Sequence, residues 1–315
     1  TMADFSIRET FNVDVPEGMT FPGNDNPGIY TPESDPGYLF RKEILSDFLL
    51  GLRNRESIYI AGPTGAGKSS LVTETAARLN LQVQEITANG QMELADLIGQ
   101  HVLQEGSLVF QDGPLTRAMR EGHIFLLDEI DYLDPGVVAG LNGLLQGQPL
   151  VLAEKGGEVV PRHPDFVFVA TGNTAGGGDD TGLYLGTQRQ NLAFMDRFFL
   201  MEVDYPSRDE EIQLVTQAIP NLPMTYAEKL VDFAVHVRRL FTGEEMDGPQ
   251  MDFTISSRVL VRWAKYTLFF KGVSKQGKSP MHHAFDRAVG FRADPATRTA
   301  LHELLQRVTG EGETV

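Results

Sequence analysis

Cysteine does not occur in the 315-residue chain, and tryptophan occurs once. Without thiols, disulfides and thiolate metal sites are excluded. That usage fits a cytoplasmic protein, and a cytoplasmic location is the expectation. Long apolar runs are also missing: nothing approaches the roughly 18 residues of a membrane span. The opening TMADFSIRET has no basic flank leading into an apolar stretch, so no signal peptide is expected. Positive charge is scarce, with 27 Lys and Arg against 43 Asp and Glu, a net charge of −16. An acidic surface repels phosphate backbones, which argues against nucleic acid as a partner.

Apolar residues make up 41% of the chain, enough for a folded core. The length exceeds one small core, so a large domain with a smaller one is expected. Residues 1–37 are rich in Pro, Gly, Asp and Asn and read as an extended N-terminal arm laid over the domain. A helix is expected over about residues 40–52. Short apolar strands (SIYIA, LQVQEIT, HIFLLDE, FVFVAT, FFLMEV) then alternate with helical stretches (SSLVTETAARLN, DPGVVAGLNGLLQ). That alternation predicts a parallel sheet covered on both faces. Two hairpins interrupt it, one near 101–115 turning at Glu105-Gly106 and one near 150–160 turning at 155–157. After Pro206 the apolar spacing is helical, which gives an α/β domain over 38–206 and a helical domain over 207–315.

The stretch GPTGAGKSS supplies Gly62, Pro63, Thr64, Gly65, Ala66, Gly67, Lys68, Ser69 and Ser70, placed between a strand and a helix. It fits the pattern G-x-x-x-x-G-K-[ST]. Glycines let backbone N–H groups wrap a polyphosphate, and the helix N-terminus adds favourable partial charge. Lys68 is expected to reach the β- and γ-phosphates of ATP, and Ser69 to ligate Mg²⁺. HIFLLDE delivers Asp128 and Glu129 to the end of a buried strand, 60 residues after Lys68. Asp128 is expected to hold Mg²⁺ through water, and Glu129 to orient or deprotonate the attacking water. FVFVATGNT brings Asn173 to the same edge, as a sensor of the γ-phosphate or simply as a turn former; Thr171 and Thr174 are weaker candidates for that task. Arg197, in MDRFF, is either an arginine that stabilises transferred charge in the site or the partner of a neighbouring acid.

The order of phosphate loop, Asp-Glu strand, Asn after the next strand and then Asp-Arg-Phe resembles an AAA+ ATPase. The placement of the two hairpins resembles the MoxR group. YTPESDPGYLF and RHPDFVFVATGNTAGGGDDTGLYLGTQRQNLAFMDRF resemble, within that group, the ATPase subunits of aerobic cobaltochelatases. The resemblance implies a P-loop NTPase fold: an α/β parallel sheet of order 5-1-4-3-2 with helices on both faces, plus a smaller all-helical lid. It implies a homo-oligomeric ring, most often a hexamer, in which Arg197 reaches the ATP of the adjacent subunit. It also implies a von Willebrand factor A-domain partner and, for a chelatase, a large chelating subunit. TISSRVLVRW resembles the segment whose arginine reaches the nucleotide of its own subunit; Arg258 matches best and Arg262 follows, the alternative being a solvated helix face. Trp263 is expected in the core, Asp179-Asp180 in a solvated loop, and His282-His283 away from any metal. A nucleic-acid motor is the remaining, less favoured class.

Overall fold

Two runs without a polar break, Ile124–Leu127 and Val167–Ala170, cannot face water on either side. In the computed structural model they form inner strands of a five-stranded parallel sheet. The structure describes residues 2–174, 192–243, 253–310 and 312. They divide into two units, residues 1–63 with 67–204, and residues 205–315 with 64–66.

The first unit opens with β1 (Met2–Ser6), α1 (Ile7–Phe11) and β2 (Thr20–Asn24), followed by α2 (Lys42–Asn54). Next come β3 (Ile58–Ala61), α3 (Lys68–Arg78), β4 (Val83–Thr87), α4 (Leu94–Ile98), β5 (Gly99–Gln104), β6 (Ser107–Asp112), α5 (Pro114–Glu121) and β7 (Ile124–Asp128). The unit continues through α6 (Pro135–Gly140), α7 (Asn142–Leu145), β8 (Leu150–Leu152), β9 (Glu158–Val160), β10 (Val167–Gly172), α8 (Leu192–Met195) and β11 (Phe199–Glu202). The sheet order is β11-β3-β10-β7-β4. Counted within this sheet alone, that is 5-1-4-3-2. One face packs Tyr59, Phe125, Leu127 and Phe168 against Leu97, Leu115, Met119, Leu141 and Phe198 in a single apolar cluster. The two hairpins are β5–β6, closing at Gln104↔Ser107, and β8–β9, closing at Leu152↔Glu158.

Two elements differ from the sequence reading. The N-terminal segment is more than an extended arm: β1 and β2 pair antiparallel, and Ile7, Phe11, Val13, Val15 and Phe21 are buried. Asn24 and Asn80 exchange side chain–carbonyl bonds at 3.0 and 2.9 Å, which pins this small element to the end of α3. The helix expected over DPGVVAGLNGLLQ is split into α6 and α7 at Leu141, where glycines 140 and 143 weaken helical continuity.

The second unit is helical: α9 (Arg208–Ala218), α10 (Met224–Thr242), α11 (Ser257–Phe269), α12 (Pro280–Ala288) and α13 (Pro295–Thr309). Trp263, Phe233 and Phe285 meet edge to face, with centroids 5.2 to 5.5 Å apart, and Trp263 Nε1 donates to the Met281 carbonyl. A buried ion pair joins α9 to α10, with Arg238 Nη1 2.7 Å from Glu211 Oε2. Among the described residues no helix is long and apolar enough to cross a membrane.

Candidate active site

In a parallel sheet all C-terminal strand ends lie on one edge, and chemistry-bearing residues placed just after the strands meet there. Gly62 follows β3, Asp128 ends β7 and Asn173 follows β10. Gly62 N donates to the Gly172 carbonyl at 3.2 Å. A side chain at Gly62 would overlap the Val203 carbonyl, so this crossing of backbones admits only glycine.

Helix α3 begins at Lys68 with Gly67 as its cap, at φ 95°, and glycine offers no side chain to cap the first N–H groups. Its first turn carries no acid. The result is an 11-residue helix whose positive end is left open to an anion. Lys68 is buried, yet its ammonium keeps three acceptors: the carbonyls of Gly62 at 2.7 Å and Pro63 at 2.9 Å, and Asn173 Oδ1 at 3.1 Å. Burial pulls its pKa down to about 8, although the charges of Asp128 and Glu129 work the other way. A cation so poorly solvated gains strongly from a nearby anion.

Ser69 Oγ donates to Asp128 Oδ1 at 2.5 Å, and Thr171 Oγ1 donates to the same carboxylate oxygen. Thr171 Oγ1 in turn accepts from the Glu129 backbone N–H at 3.0 Å. Glu129 sits in the left-handed region at φ 58°, a conformation a non-glycine residue holds at a cost of about 1–3 kcal/mol. Its carboxyl pKa is raised, by burial first and by Asp128 second. A carboxyl tuned upward beside a cation is suited to receive a proton from water.

Lys68, Ser69, Asp128, Glu129, Thr171 and Asn173 thus form one bonded group. The loop residues Thr64, Gly65 and Ala66 lie between Pro63 and Gly67 and fall in the second unit, and Ser70 is half-buried in the first turn of α3. Arg197 is outside the group. Its guanidinium donates to the Ala193 carbonyl, and the Gln146 amide, turned so that its oxygen faces the arginine, accepts from Nη2 at 2.8 Å and Nε at 3.1 Å. The register of β11 on β3 starts at Phe199↔Ile58, so Arg197 precedes the N-terminal end of the sheet. Lys68 and Asp128 occupy the opposite end, roughly 10 Å away along β3 at about 3.3 Å per residue. Arg258 and Arg262 are exposed on the first two turns of α11, in the second unit. Asp179, Asp180 and the run Gly-Leu-Tyr-Leu-Gly-Thr-Gln at 182–188 lie outside the described residues.

Three contributors escape a linear reading. Gln146 holds Arg197. Tyr59 and Asp131 are fully buried and bonded to each other next to Asn173. Asp131 stands two residues after Glu129 in DEID, where a third acid was the available signal.

The donor set fits a magnesium nucleotide. Ser69 and Asp128 offer hard oxygens within bonding distance of each other, and Lys68 with the uncapped start of α3 offers the cationic cradle.

Residues 57–198 match the family described as AAA domain (dynein-related subfamily), and residues 211–308 match the CbbQ/NirQ/NorQ C-terminal family. The chain is 29% identical over 312 residues to the aerobic cobaltochelatase subunit CobS of Sinorhizobium sp, covering 97% of this chain and 90% of that one. It is 32% identical over 232 residues to the protein CbbQ of Hydrogenophilus thermoluteolus, covering 74% of this chain and 82% of that one. Among solved structures, the Thermotoga maritima RuvB Holliday junction branch migration motor superposes with a TM-score of 0.50 at 14% identity, over 90% of this chain and 89% of that one. At that identity the likeness speaks for the fold alone.

Proposed function

Because the chain belongs to the AAA+ ATPases of the MoxR type, alongside the CbbQ, NirQ and NorQ proteins, we propose that it hydrolyses ATP at the cluster around Lys68 and Asp128 and uses the cycle to drive a partner protein. The observation that carries this reading is the bonded group itself, with Lys68, Ser69, Asp128 and Asn173 joined at the C-terminal edge of the sheet. Gly62 to Ser70 cradle the phosphates, and Lys68 neutralises β- and γ-phosphate charge. Ser69 would hold Mg²⁺ directly and Asp128 would hold it through water, and the ion would supply positive charge against the phosphate oxygens. Glu129 orients water and takes its proton; Asn173 fixes that water and contacts the γ-phosphate. The oxygen attacks the γ-phosphorus, and the bond to the bridging oxygen breaks to leave ADP and phosphate.

Arg197 completes the site of a neighbouring copy. Its place at the far end of its own sheet, bonded there to Ala193 and Gln146, supports this. The working form is then a homo-oligomeric ring, of six copies by the family's habit. Arg258 reaches the nucleotide from the lid.

For the partner, the near full-length similarity to a cobaltochelatase subunit favours a motor in a chelatase-like complex. The client would be a large subunit that inserts cobalt into a corrin ring, with a von Willebrand factor A-domain protein between. The C-terminal match to the CbbQ/NirQ/NorQ family favours a second reading, a chaperone that activates another enzyme through such a partner.

Two variants test the shared core. Lys68→Ala is expected to abolish nucleotide binding. Glu129→Gln is expected to bind ATP and stall, holding its client for capture and mass spectrometry. Normal turnover in Glu129→Gln would reject the assignment, and recovery of a chelatase subunit or of another enzyme with the stalled form decides between the two clients.

A further inference from the structure

Strand β3 reads Ile-Tyr-Ile-Ala, and phenylalanine would fill the Tyr59 position as well as tyrosine if packing were the only demand. Tyr59 is fully buried, and a buried hydroxyl needs a partner. Its Oη donates to Asp131 Oδ1 at 2.9 Å and lies 2.9 Å from the Thr174 carbonyl. Asp131, also fully buried, uses its other oxygen to accept from the Thr174 N–H at 3.0 Å and from Thr174 Oγ1 at 3.3 Å. Gly172 is extended β10 backbone and needs no glycine for its conformation; it needs one for space. A Cβ there would overlap the Tyr59 hydroxyl and come within 2.8 Å of Asp131 Oδ2. The residues on both sides of Asn173 are therefore fixed: Gly172 by close approach to the Tyr59–Asp131 pair, and Thr174 by bonds from it.

The geometry points to Tyr59 and Asp131 as positioning residues, a buried clamp that holds Asn173 where its side chain meets Lys68, with Gly172 kept small to admit the Tyr59 hydroxyl. Asp131 lies in the turn directly after Glu129, so the same clamp ties the strand end that carries the general base to the loop that carries the amide. Burial raises the Asp131 carboxyl above its ordinary range, against the bonds from Thr174, Tyr59 and Asn173, so the pair is held at a desolvation cost that packing does not require. The clamp rests on the reading of Asn173 as the residue that handles the attacking water.

Steady-state ATPase kinetics on assembled Tyr59→Phe, Asn173→Ala, the double variant, Gly172→Ala and Tyr59→Phe/Gly172→Ala provide the test, with nucleotide Kd measured alongside. Tyr59→Phe is expected to lower kcat roughly tenfold, with KM and Kd for ATP unchanged, and to add nothing further in the Asn173→Ala background. Gly172→Ala is expected to lower kcat, and adding Tyr59→Phe to bring it back to the level of Tyr59→Phe alone. A Tyr59→Phe enzyme with full kcat beside a slow Asn173→Ala enzyme overturns the clamp while leaving the site reading intact. So do losses that multiply in the double variant, or a Gly172→Ala defect that Tyr59→Phe does not relieve. Full kcat in Asn173→Ala overturns the reading of Asn173, and the clamp with it.

Discussion

Thr171 receives the Glu129 N–H and donates to Asp128, so one hydroxyl sets the backbone of the proposed general base and the direction of the acid proposed to hold the metal. Thr171→Val keeps the shape of the side chain and removes both bonds. It leaves the Glu129 N–H without its partner, which costs about 1–3 kcal/mol. The expected outcome is a lower melting temperature and a kcat reduced at least roughly tenfold with nucleotide affinity kept, read by calorimetry and steady-state assay. A variant with unchanged kcat would remove Thr171 from the machinery. A second residue speaks to pH. His123 is buried at the start of β7 between Gln82 and Gln84, which lie 3.0 and 3.2 Å from its ring nitrogens, with Tyr30 and Glu121 beside it. Burial lowers its pKa, Arg117 and His163 lower it further, and Glu121 opposes them. With a folded pKa below the unfolded value of about 6.5, the unfolded chain takes up the proton first. Stability is therefore lost as pH falls below that value, and the loss levels off below the folded pKa. The stability advantage of wild type over His123→Asn should shrink as pH drops from about 7.5 to about 5.5 in denaturant titrations. A constant difference would mean that folding leaves the His123 pKa where it is in the unfolded chain, and a difference that grows as pH falls would mean that the fold favours the charged ring.

At the scale of elements, the second unit hangs on the Arg238–Glu211 pair. Arg238 also donates to the Ile255 carbonyl at 2.7 Å, and Ser257 Oγ donates to Glu211 Oε1 at 2.7 Å, so α9, α10 and the start of α11 share one polar knot. Removing one member strands a buried charge. Arg238→Met is expected to cost about 3–5 kcal/mol, and pairing it with Glu211→Leu to recover most of that loss; chemical denaturation of both variants checks it. The strands of the first unit were legible because fully buried strands must be apolar throughout, as Ile124–Leu127 and Val167–Ala170 are. The N-terminal hairpin was not, because Pro22 and Gly23 stand inside β2 and read as breakers. The residues of the site were legible as a set, since each lies at the C-terminal end of a strand or in the loop and helix start that follow it. The links between them were not: Tyr59 and Asp131 are 72 residues apart and meet only once β3 and β10 are neighbours and the turn after β7 folds beneath them.

At the scale of the whole molecule, the decisive relation is between the two ends of the sheet. Phosphate loop, acids and amide stand at one end, and Arg197 stands at the other. Motif order alone puts these residues in one list; strand register separates them, and that separation is what the proposal of a site shared by two copies rests on. The net charge of −16 bears on the same scale. Copies repel one another at low salt, so assembly is expected to tighten as screening rises.

The sharing of the site is tested most directly by mixing two inactive proteins. Glu129→Gln keeps Arg197 but stalls in its own pocket, while Arg197→Ala keeps an intact pocket but lacks its arginine. In randomly mixed rings half the pockets are intact and half of those face an intact arginine, so activity should return to about a quarter of the wild-type rate. If the mixture stays as inactive as either protein alone, Arg197 does not act across the boundary between copies.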